Sequence, residues 1–204
     1  MLRTRKDFAA FDRIPLEAHD RRPLRILSYC LMGNHWHFVV WPTTDGQLTD
    51  FFRWLAHTHA MRWRVAHRTV GYGHLYQGRF KNFPVQAGEP LLKVCRYVER
   101  NPLTAGIVQR AEEWPWSSLW VREHGTPQQQ GILSAWPTVR PTNWVNRVNA
   151  AMTAKEESRW TLSLARSQPF GEAGWTARAA TQLGLGHTIR GEGGDHGATK
   201  RKGR

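Results

Sequence analysis

The stretch YCLMGNHWHFVVWP, residues 29–42, has two apolar segments separated by Gly33-Asn34, and two histidines follow directly after. Gly33-Asn34 is a typical two-residue hairpin signal, and its flanks are rich in strand-forming side chains. We therefore predict a β-hairpin with strands over residues 24–32 and 35–41. Because strand side chains alternate between faces, His35 and His37 should project from the same face.

These two histidines allow two interpretations. They are either core residues satisfied by local hydrogen bonds, or two ligands that converge on one cation together with a third ligand from elsewhere. The spacing alone does not separate the two, since a His-x-His pattern is common by chance.

Apolar residues recur at helical spacing in four other segments. We predict a short helix over 6–14, which Pro15 should kink or end, and further helices over 48–66, 89–100 and 153–167. The segment GYGHLYQGRFKNFPV, residues 71–85, is interrupted by glycines and predicts a loop followed by a strand near 79–85.

The composition favours a polyanionic partner. The chain has 204 residues, a formal net charge of +13 and a pI of about 10.8. Such a surplus of cations favours nucleic acid first and an anionic membrane surface second. No run of about 18 apolar residues exists, which excludes a membrane-spanning helix, and the first residues lack the apolar core of a signal peptide. Two cysteines in apolar surroundings fit reduced thiols, so we expect a cytoplasmic location.

Basic residues cluster in two segments that suit DNA binding. The first lies late in the long predicted helix and contains Arg62, Arg64, His67 and Arg68. The second alternates cations with aromatic rings, as Arg79, Phe80, Lys81 and Phe83. Cations contact phosphates and exposed rings stack on unpaired bases, so we predict DNA contacts by the arginines of both segments and by Lys81. The alternative is that Phe80 and Phe83 are core residues and the charges are solvated surface.

Tyr97 and Asn101 are four residues apart near the end of the predicted helix 89–100, so they are neighbours on its surface. Both fall at the edge of the apolar stripe made by Leu91, Val94, Cys95 and Val98. A hydroxyl and an amide thus lie together where the helix meets the domain. The alternative is that Tyr97 is an ordinary core-edge residue and Asn101 ends the helix before Pro102.

Together, the segments MGNHWH (32–37) and CRYVERNPLTAGIV (95–108) resemble the signature pair of the single-tyrosine HUH transposases. The similarity is greatest to the REP-associated tyrosine transposases of the insertion-sequence-200-like family. Three further segments resemble this branch: HLYQGRFKNFPV (74–85), EEWPWSSLW (112–120) and FGEAGWTARAATQLGLGHTIR (170–190). The resemblance spans roughly residues 7 to 190.

This resemblance implies an α+β, ferredoxin-like fold, with an antiparallel sheet and helices on one face. It implies His35, His37 and Asn101 as ligands of a divalent cation, Mg²⁺ or Mn²⁺. Tyr97 is then the nucleophile that attacks a phosphodiester of single-stranded or hairpin DNA, giving a 5′-phosphotyrosine intermediate. The implied partner is DNA, including repetitive palindromic elements, and the oligomeric state stays open.

The sequence departs from the family in two ways. Gly33 stands where family members usually have proline, which is mild because glycine also suits a hairpin turn. Family members also usually begin with an extra strand, so on this resemblance the first strand of the sheet is missing and activity is in question. We expect a transposase domain over 1–125, a partly helical extension over 126–189, and a disordered basic tail over 190–204 in which Lys200, Arg201, Lys202 and Arg204 add salt-sensitive affinity.

Three alternatives to a DNA strand-transfer enzyme remain open. One is a catalytically impaired DNA-binding protein derived from a transposase. The second is a replication or plasmid-mobilisation nuclease with the same metal and tyrosine chemistry. The third is a metal hydrolase that uses water, for which cleavage would survive Tyr97→Phe.

Overall fold

The computed structural model of the chain describes residues 1–71, 73–78 and 80–189. The described part contains two strands and eight α-helices, which confirms the α+β class: α1 (Arg5–Arg21), β1 (Arg25–Leu31), β2 (Trp36–Trp41), α2 (Gln47–Ala66), α3 (Glu89–Thr104), α4 (Ser118–His124), α5 (Pro127–Gly131), α6 (Trp144–Asn149), α7 (Ala154–Arg166) and α8 (Ala173–Gln182). Short 3₁₀ helices cover Ala111–Glu113 and Gly186–Thr188. None of the described helices is both long and apolar enough to cross a bilayer.

The chain divides into two compact units. The first contains residues 1–81 and 87–153, and the second contains 82–86 together with the chain from 154 onwards. Residues 126–153 therefore belong to the first unit, although the sequence analysis placed a domain boundary near 125. The predicted basic tail lies outside the described residues.

Helix α1 is longer than the sequence predicted. It begins with a capping box, in which Thr4 Oγ1 accepts from the Asp7 N–H at 3.2 Å and the Asp7 carboxylate accepts from the Thr4 N–H at 2.9 Å. Of the two predicted effects of Pro15, a kink or an end of the helix, the end is wrong, since the helix continues to Arg21. Ile14 and Ala18 on its inner face are almost completely buried, and this packing offsets the roughly 3 kcal/mol that an interior proline costs.

The predicted hairpin is confirmed. Strands β1 and β2 are antiparallel, with Tyr29 opposite Phe38 and Cys30 opposite His37. The turn around Gly33-Asn34 is closed by the Met32 N–H, which donates to the His35 carbonyl at 2.9 Å. Because β2 begins at Trp36, His35 is the last residue of the turn rather than the first of the strand.

The two faces of the hairpin have different roles. On one face, Trp36 stacks on Phe52 of α2 with ring centroids 5.3 Å apart, within the core that α1 also enters. On the other face, Ser28 donates a hydrogen bond of 3.1 Å to Glu99 of α3. Helices therefore pack against both faces of the hairpin, α2 on the Trp36 face and α3 on the Ser28 face.

Helix α3 continues through Asn101 and Pro102 to Thr104. It therefore ends three residues after Asn101, where a helix stopped by Pro102 would end. Its end is a Schellman motif at Gly106, which has a φ of +67°. The Ile107 N–H donates to the Pro102 carbonyl at 2.9 Å and the Gly106 N–H to the Leu103 carbonyl at 3.0 Å. Asn101 is therefore an interior helical residue and not a terminal one.

The strand predicted near 79–85 is wrong for the described residues of that range, which make only an isolated bridge between Val85 and Phe170. In the second unit this bridge joins residues 82–86 to the segment between α7 and α8. Phe83 packs there against Trp160 of α7, with ring centroids 5.4 Å apart. The predicted helix over 153–167 is confirmed as α7.

Candidate metal and nucleophile site

The structure brings together the four residues predicted from two distant segments. His35 and His37 have ring centroids 4.9 Å apart, and the rings of His37 and Tyr97 are 6.0 Å apart. The side chain of Asn101 lies beside His35 and favours the charged form of its imidazole, which raises its pKa. The two imidazoles, the phenol and the amide thus lie between β2 and the last two turns of α3.

Both imidazoles are neutral at pH 7. Burial lowers the pKa of His35, and the neighbouring Asn101 side chain opposes that shift only in part. Burial, together with the neighbouring His35, lowers the pKa of His37 to about 4. A metal ligand must offer an unprotonated nitrogen, so a cation would have no proton to displace from either ring near neutral pH.

The turn also orients His35. Its Nδ1 lies 2.7 Å from Asn34 Oδ1, a distance at which the imidazole N–H donates to the amide oxygen. With the proton held at Nδ1, the lone pair of Nε2 is the one available to a ligand or cation. An outer hydrogen bond of this kind is the usual way in which proteins fix the tautomer of a metal-binding histidine.

A buried carboxylate fixes the helix that carries Tyr97. Glu99 is fully buried, and its Oε1 accepts from Ser118 at 2.6 Å while its Oε2 accepts from Trp144 Nε1 at 2.7 Å. With the bond from Ser28, this carboxylate joins α3 to β1, α4 and α6. The role of Glu99 was not predicted from the sequence, although an acidic residue directly after Val98 in an apolar helical stripe is a recognisable signal.

Two arginines on either side of Tyr97 hold the same helix against α6. Arg96 and Arg100 are one turn apart on α3, and each donates to two backbone carbonyls at the end of α6. The acceptors are Ala150 and Ala151 for Arg96, at 2.7 and 2.8 Å, and Val148 and Asn149 for Arg100, at 2.9 and 2.6 Å. These carbonyls carry the negative end of the α6 dipole, so the arginine charges are well placed.

A second buried network supports β2 from the opposite face. The Tyr76 hydroxyl lies 2.6 Å from His59 Nδ1 and accepts a hydrogen bond of 3.3 Å from Trp36 Nε1. Trp36 stands between the two site histidines, so this chain connects the site strand with α2 and with the loop segment 73–78. Burial lowers the pKa of His59 to about 4, so its neutral ring accepts a hydrogen bond from the Tyr76 hydroxyl.

The basic residues predicted to bind DNA have different surroundings. Arg62 forms a two-pronged ion pair with Glu17 at 2.6 and 2.7 Å, and Arg64 donates to the Gly73 carbonyl. Arg68 and Lys81 are exposed, whereas Arg79 lies outside the described residues. Their role in DNA binding stays a prediction, and Arg68 and Lys81 are better available to a phosphate than Arg62.

The aromatic residues of the second basic segment are packed against other rings. Phe80 lies 5.3 Å from Phe52, centroid to centroid, and joins the edge of the main core. Phe83 packs on Trp160 in the second unit. The structure therefore favours the core interpretation of both rings over base stacking.

The donor set fits a divalent cation with open coordination positions. Among the described residues, no group of three or more His, Cys, Asp or Glu is arranged to hold a metal ion. A site formed by His35 and His37 would therefore need a third donor of another type, and the Asn101 amide oxygen is the donor that the sequence predicts. Two neutral imidazoles and one amide leave room for phosphate oxygens and do not select one metal among Mg²⁺, Mn²⁺ and the other divalent cations.

Comparison with models of known protein families gives a match over about the first half of the chain. The model of the family described as "Transposase IS200 like" matches residues 4–101, a range that starts just before α1 and ends at Asn101. All four site residues lie within it. No curated protein and no solved structure was found to match the chain.

Proposed function

We propose that this chain, whose residues 4–101 are similar to IS200-like transposases, is a DNA transposase of the REP-associated type that acts through Tyr97. The observation that carries the proposal is the position of the Tyr97 ring, 6.0 Å from the ring of His37 and one helical turn from Asn101. A nucleophile and a set of ligands on facing elements are the parts that attack on a phosphodiester requires.

The proposed reaction is an exchange of phosphate esters. The Tyr97 oxygen, after losing its proton, attacks the phosphorus of a single-stranded or hairpin DNA. A new O–P bond forms, the bond to the 3′ oxygen breaks, and that oxygen takes up a proton to leave as a 3′-hydroxyl. The 5′-phosphotyrosine keeps the energy of the diester, so a 3′-hydroxyl can later reverse the step without a nucleotide cofactor. A reaction that needs no nucleotide cofactor is consistent with a sequence that contains no GxxxxGK[ST] nucleotide-binding loop.

His35, His37 and Asn101 are the residues that would hold the cation. A bound Mg²⁺ or Mn²⁺ would neutralise the charge that develops on the phosphate oxygens. The protein's own contribution is orientation. The Asn34 contact holds His35, and Glu99, Arg96 and Arg100 hold the helix that presents both Tyr97 and Asn101.

The test is an adduct assay with hairpin single-stranded DNA and Mn²⁺. Wild-type protein should form a protein–DNA adduct that survives denaturant, and Tyr97→Phe should lose it completely. Tyr29→Phe is the matched control. Tyr29 is almost fully buried in the core and stacked on Phe38, so its phenol cannot reach DNA and the adduct should persist.

Other outcomes identify the alternatives. DNA binding without any adduct would indicate a DNA-binding protein of transposase descent that no longer cuts. Cleavage that survives Tyr97→Phe would indicate a hydrolase that uses water, and would overturn the nucleophilic role of Tyr97.

A further inference from the structure

We propose that Trp41 and Arg25 form a stacking site for an unpaired nucleobase of single-stranded DNA, on the same face of β2 as His37. This inference deepens the proposed function and rests on it for the identity of the ligand. The Trp41 subsite, as we call this pair, is separate from the four residues of the metal and nucleophile site.

The register of the hairpin places Trp41 on the site face. Side chains alternate along a strand, so His37, Val39 and Trp41 of β2 project from one face. Trp41 is the last residue of β2 and pairs with Arg25, the first residue of β1. At about 3.4 Å per residue, the Trp41 Cα is about 14 Å from the Cα of His37.

Trp41 is open to solvent at the end of a strand that is otherwise largely covered. It is 41 % exposed, whereas Val39, one step closer to His37 on the same face, is 6 % exposed. The packing that covers Val39 therefore ends before Trp41. An indole accessible to this extent offers area that the fold itself does not use.

The neighbouring cation makes this ring suitable for nucleic acid. The guanidinium carbon of Arg25 lies 5.1 Å from the Trp41 ring centroid. With the cation against one side of the indole, a nucleobase can stack on the part of the ring that is still accessible to solvent. The same guanidinium can then contact the phosphate next to that base. Arg21 and Arg22, both exposed, precede Arg25 closely in the chain and add positive charge.

Single-stranded DNA is the occupant that this chemistry favours. In a duplex the faces of the bases are already stacked on one another, whereas an unpaired base can stack on an aromatic side chain. The net charge of +13 favours a polyanion over a neutral peptide. At 3.4 Å per nucleotide of a stacked strand, the distance of about 14 Å between the Cα atoms of Trp41 and His37 corresponds to about four nucleotides.

The test separates base stacking from phosphate attraction. All proteins carry Tyr97→Phe so that no covalent adduct forms, and Kd is measured by fluorescence anisotropy for oligothymidylate and for an abasic deoxyribose-phosphate oligomer of equal length. We expect Trp41→Ala to raise Kd for thymidylate about 5- to 100-fold, the range for one stacked base, and to change Kd for the abasic oligomer by less than about twofold. Trp41→Phe should recover most of the loss.

Two matched variants serve as controls. Val139→Ala removes an exposed apolar side chain of the same unit and should change neither Kd. Arg13→Ala removes one exposed charge from α1 and should weaken both probes equally, whereas Arg25→Ala should weaken thymidylate binding more than abasic binding. Thermal unfolding of each variant verifies that it is folded.

The outcomes are distinct from those of the adduct assay. An equal loss on both probes, or no loss, for a folded Trp41→Ala protein overturns the subsite, even where the wild type forms its adduct. A Trp41-dependent preference for thymidylate, together with a wild-type protein that forms no adduct in the separate adduct assay, supports the subsite and overturns the proposed strand-transfer chemistry.

Discussion

The carboxylate of Glu99 and the phenol of Tyr97 lie on opposite sides of α3. Residues two positions apart in an α-helix are separated by a rotation of about 200° around its axis. Glu99 points into the protein, where donors from three other elements meet it, and Tyr97 points toward the imidazole of His37. The contacts of Glu99 on one side of α3 therefore fix the rotation of the helix about its axis, and this rotation determines where Tyr97 lies on the other side.

Replacing Glu99 should be strongly destabilising. Glu99→Ala leaves the Trp144 N–H and the two serine hydroxyls without their buried acceptor and also creates a cavity, so we expect a loss of about 3–5 kcal/mol in the free energy of unfolding. Urea denaturation measures this loss. Glu123→Ala on the exposed surface of α4 is the control and should change stability by less than about 0.5 kcal/mol. A Glu99→Ala protein as stable as this control would contradict the role of the buried carboxylate.

Removing the amide of Asn101 should weaken metal binding. Because the two imidazoles need a third donor, we expect Asn101→Ala to raise the Kd for Mn²⁺ at least about tenfold. The measurement is the rise in Tm with Mn²⁺ concentration, which reports binding to the folded state. Asn146→Ala, on the exposed side of α6, should leave the titration unchanged. Equal Mn²⁺ dependence in both variants would show that Asn101 is not a ligand.

His59 should make the fold sensitive to acid. Its pKa is lowered to about 4 in the folded protein, mainly by burial, against an ordinary value of 6.5. Between these values the unfolded chain binds more protons, so stability is complete above pH 6.5 and falls as the pH decreases toward 4. From pH 7 to pH 5 the expected loss from this residue is about 2 kcal/mol.

Urea denaturation at the two pH values checks the role of His59. His59→Gln should show a loss between pH 7 and pH 5 that is smaller than the wild-type loss by about 2 kcal/mol. His57→Gln, an exposed neighbour on the same helix, should keep the wild-type pH dependence. The site histidines are present in all three proteins, so the difference isolates His59. An unchanged pH dependence in His59→Gln would refute the assignment.

Two glycines near α4 and α5 should respond in opposite directions to alanine. A Cβ on Gly125 would lie 2.6 Å from the Val121 carbonyl oxygen, so Gly125→Ala must shift backbone and should cost about 1–3 kcal/mol. A Cβ on Gly131 meets nothing within 4 Å, and Gly131→Ala should be neutral or stabilising by up to about 1 kcal/mol. Differential scanning calorimetry of the two variants tests the contrast, and a Tm for Gly125→Ala at or above the wild-type value would contradict it.

The sequence predicted the parts of the structure that local patterns determine. The hairpin followed from Gly33-Asn34, because a two-residue turn sets both its position and its register. The proximity of Tyr97 and Asn101 followed from helical spacing. That these two residues meet His35 and His37 was implied by the resemblance, and the structure brings all four together.

What the sequence did not predict depends on tertiary contacts. Pro15 does not end α1, because the buried face on both sides of it favours the helix. Pro102 does not end α3, because a glycine four residues later forms the actual stop. Phe80 lies between two basic residues in the sequence and still packs on Phe52, a partner that is 28 residues away and invisible to local patterns.

The arrangement of α3 has a consequence for any screen that searches for inactive variants. Substitutions at 96, 99 and 100 would turn or loosen the helix and would be recovered alongside substitutions at 97 and 101, because the contacts of these three side chains with β1, α4 and α6 hold the helix in place. Inactive variants along this helix can be told apart only when both the activity and the folding stability of each variant are measured.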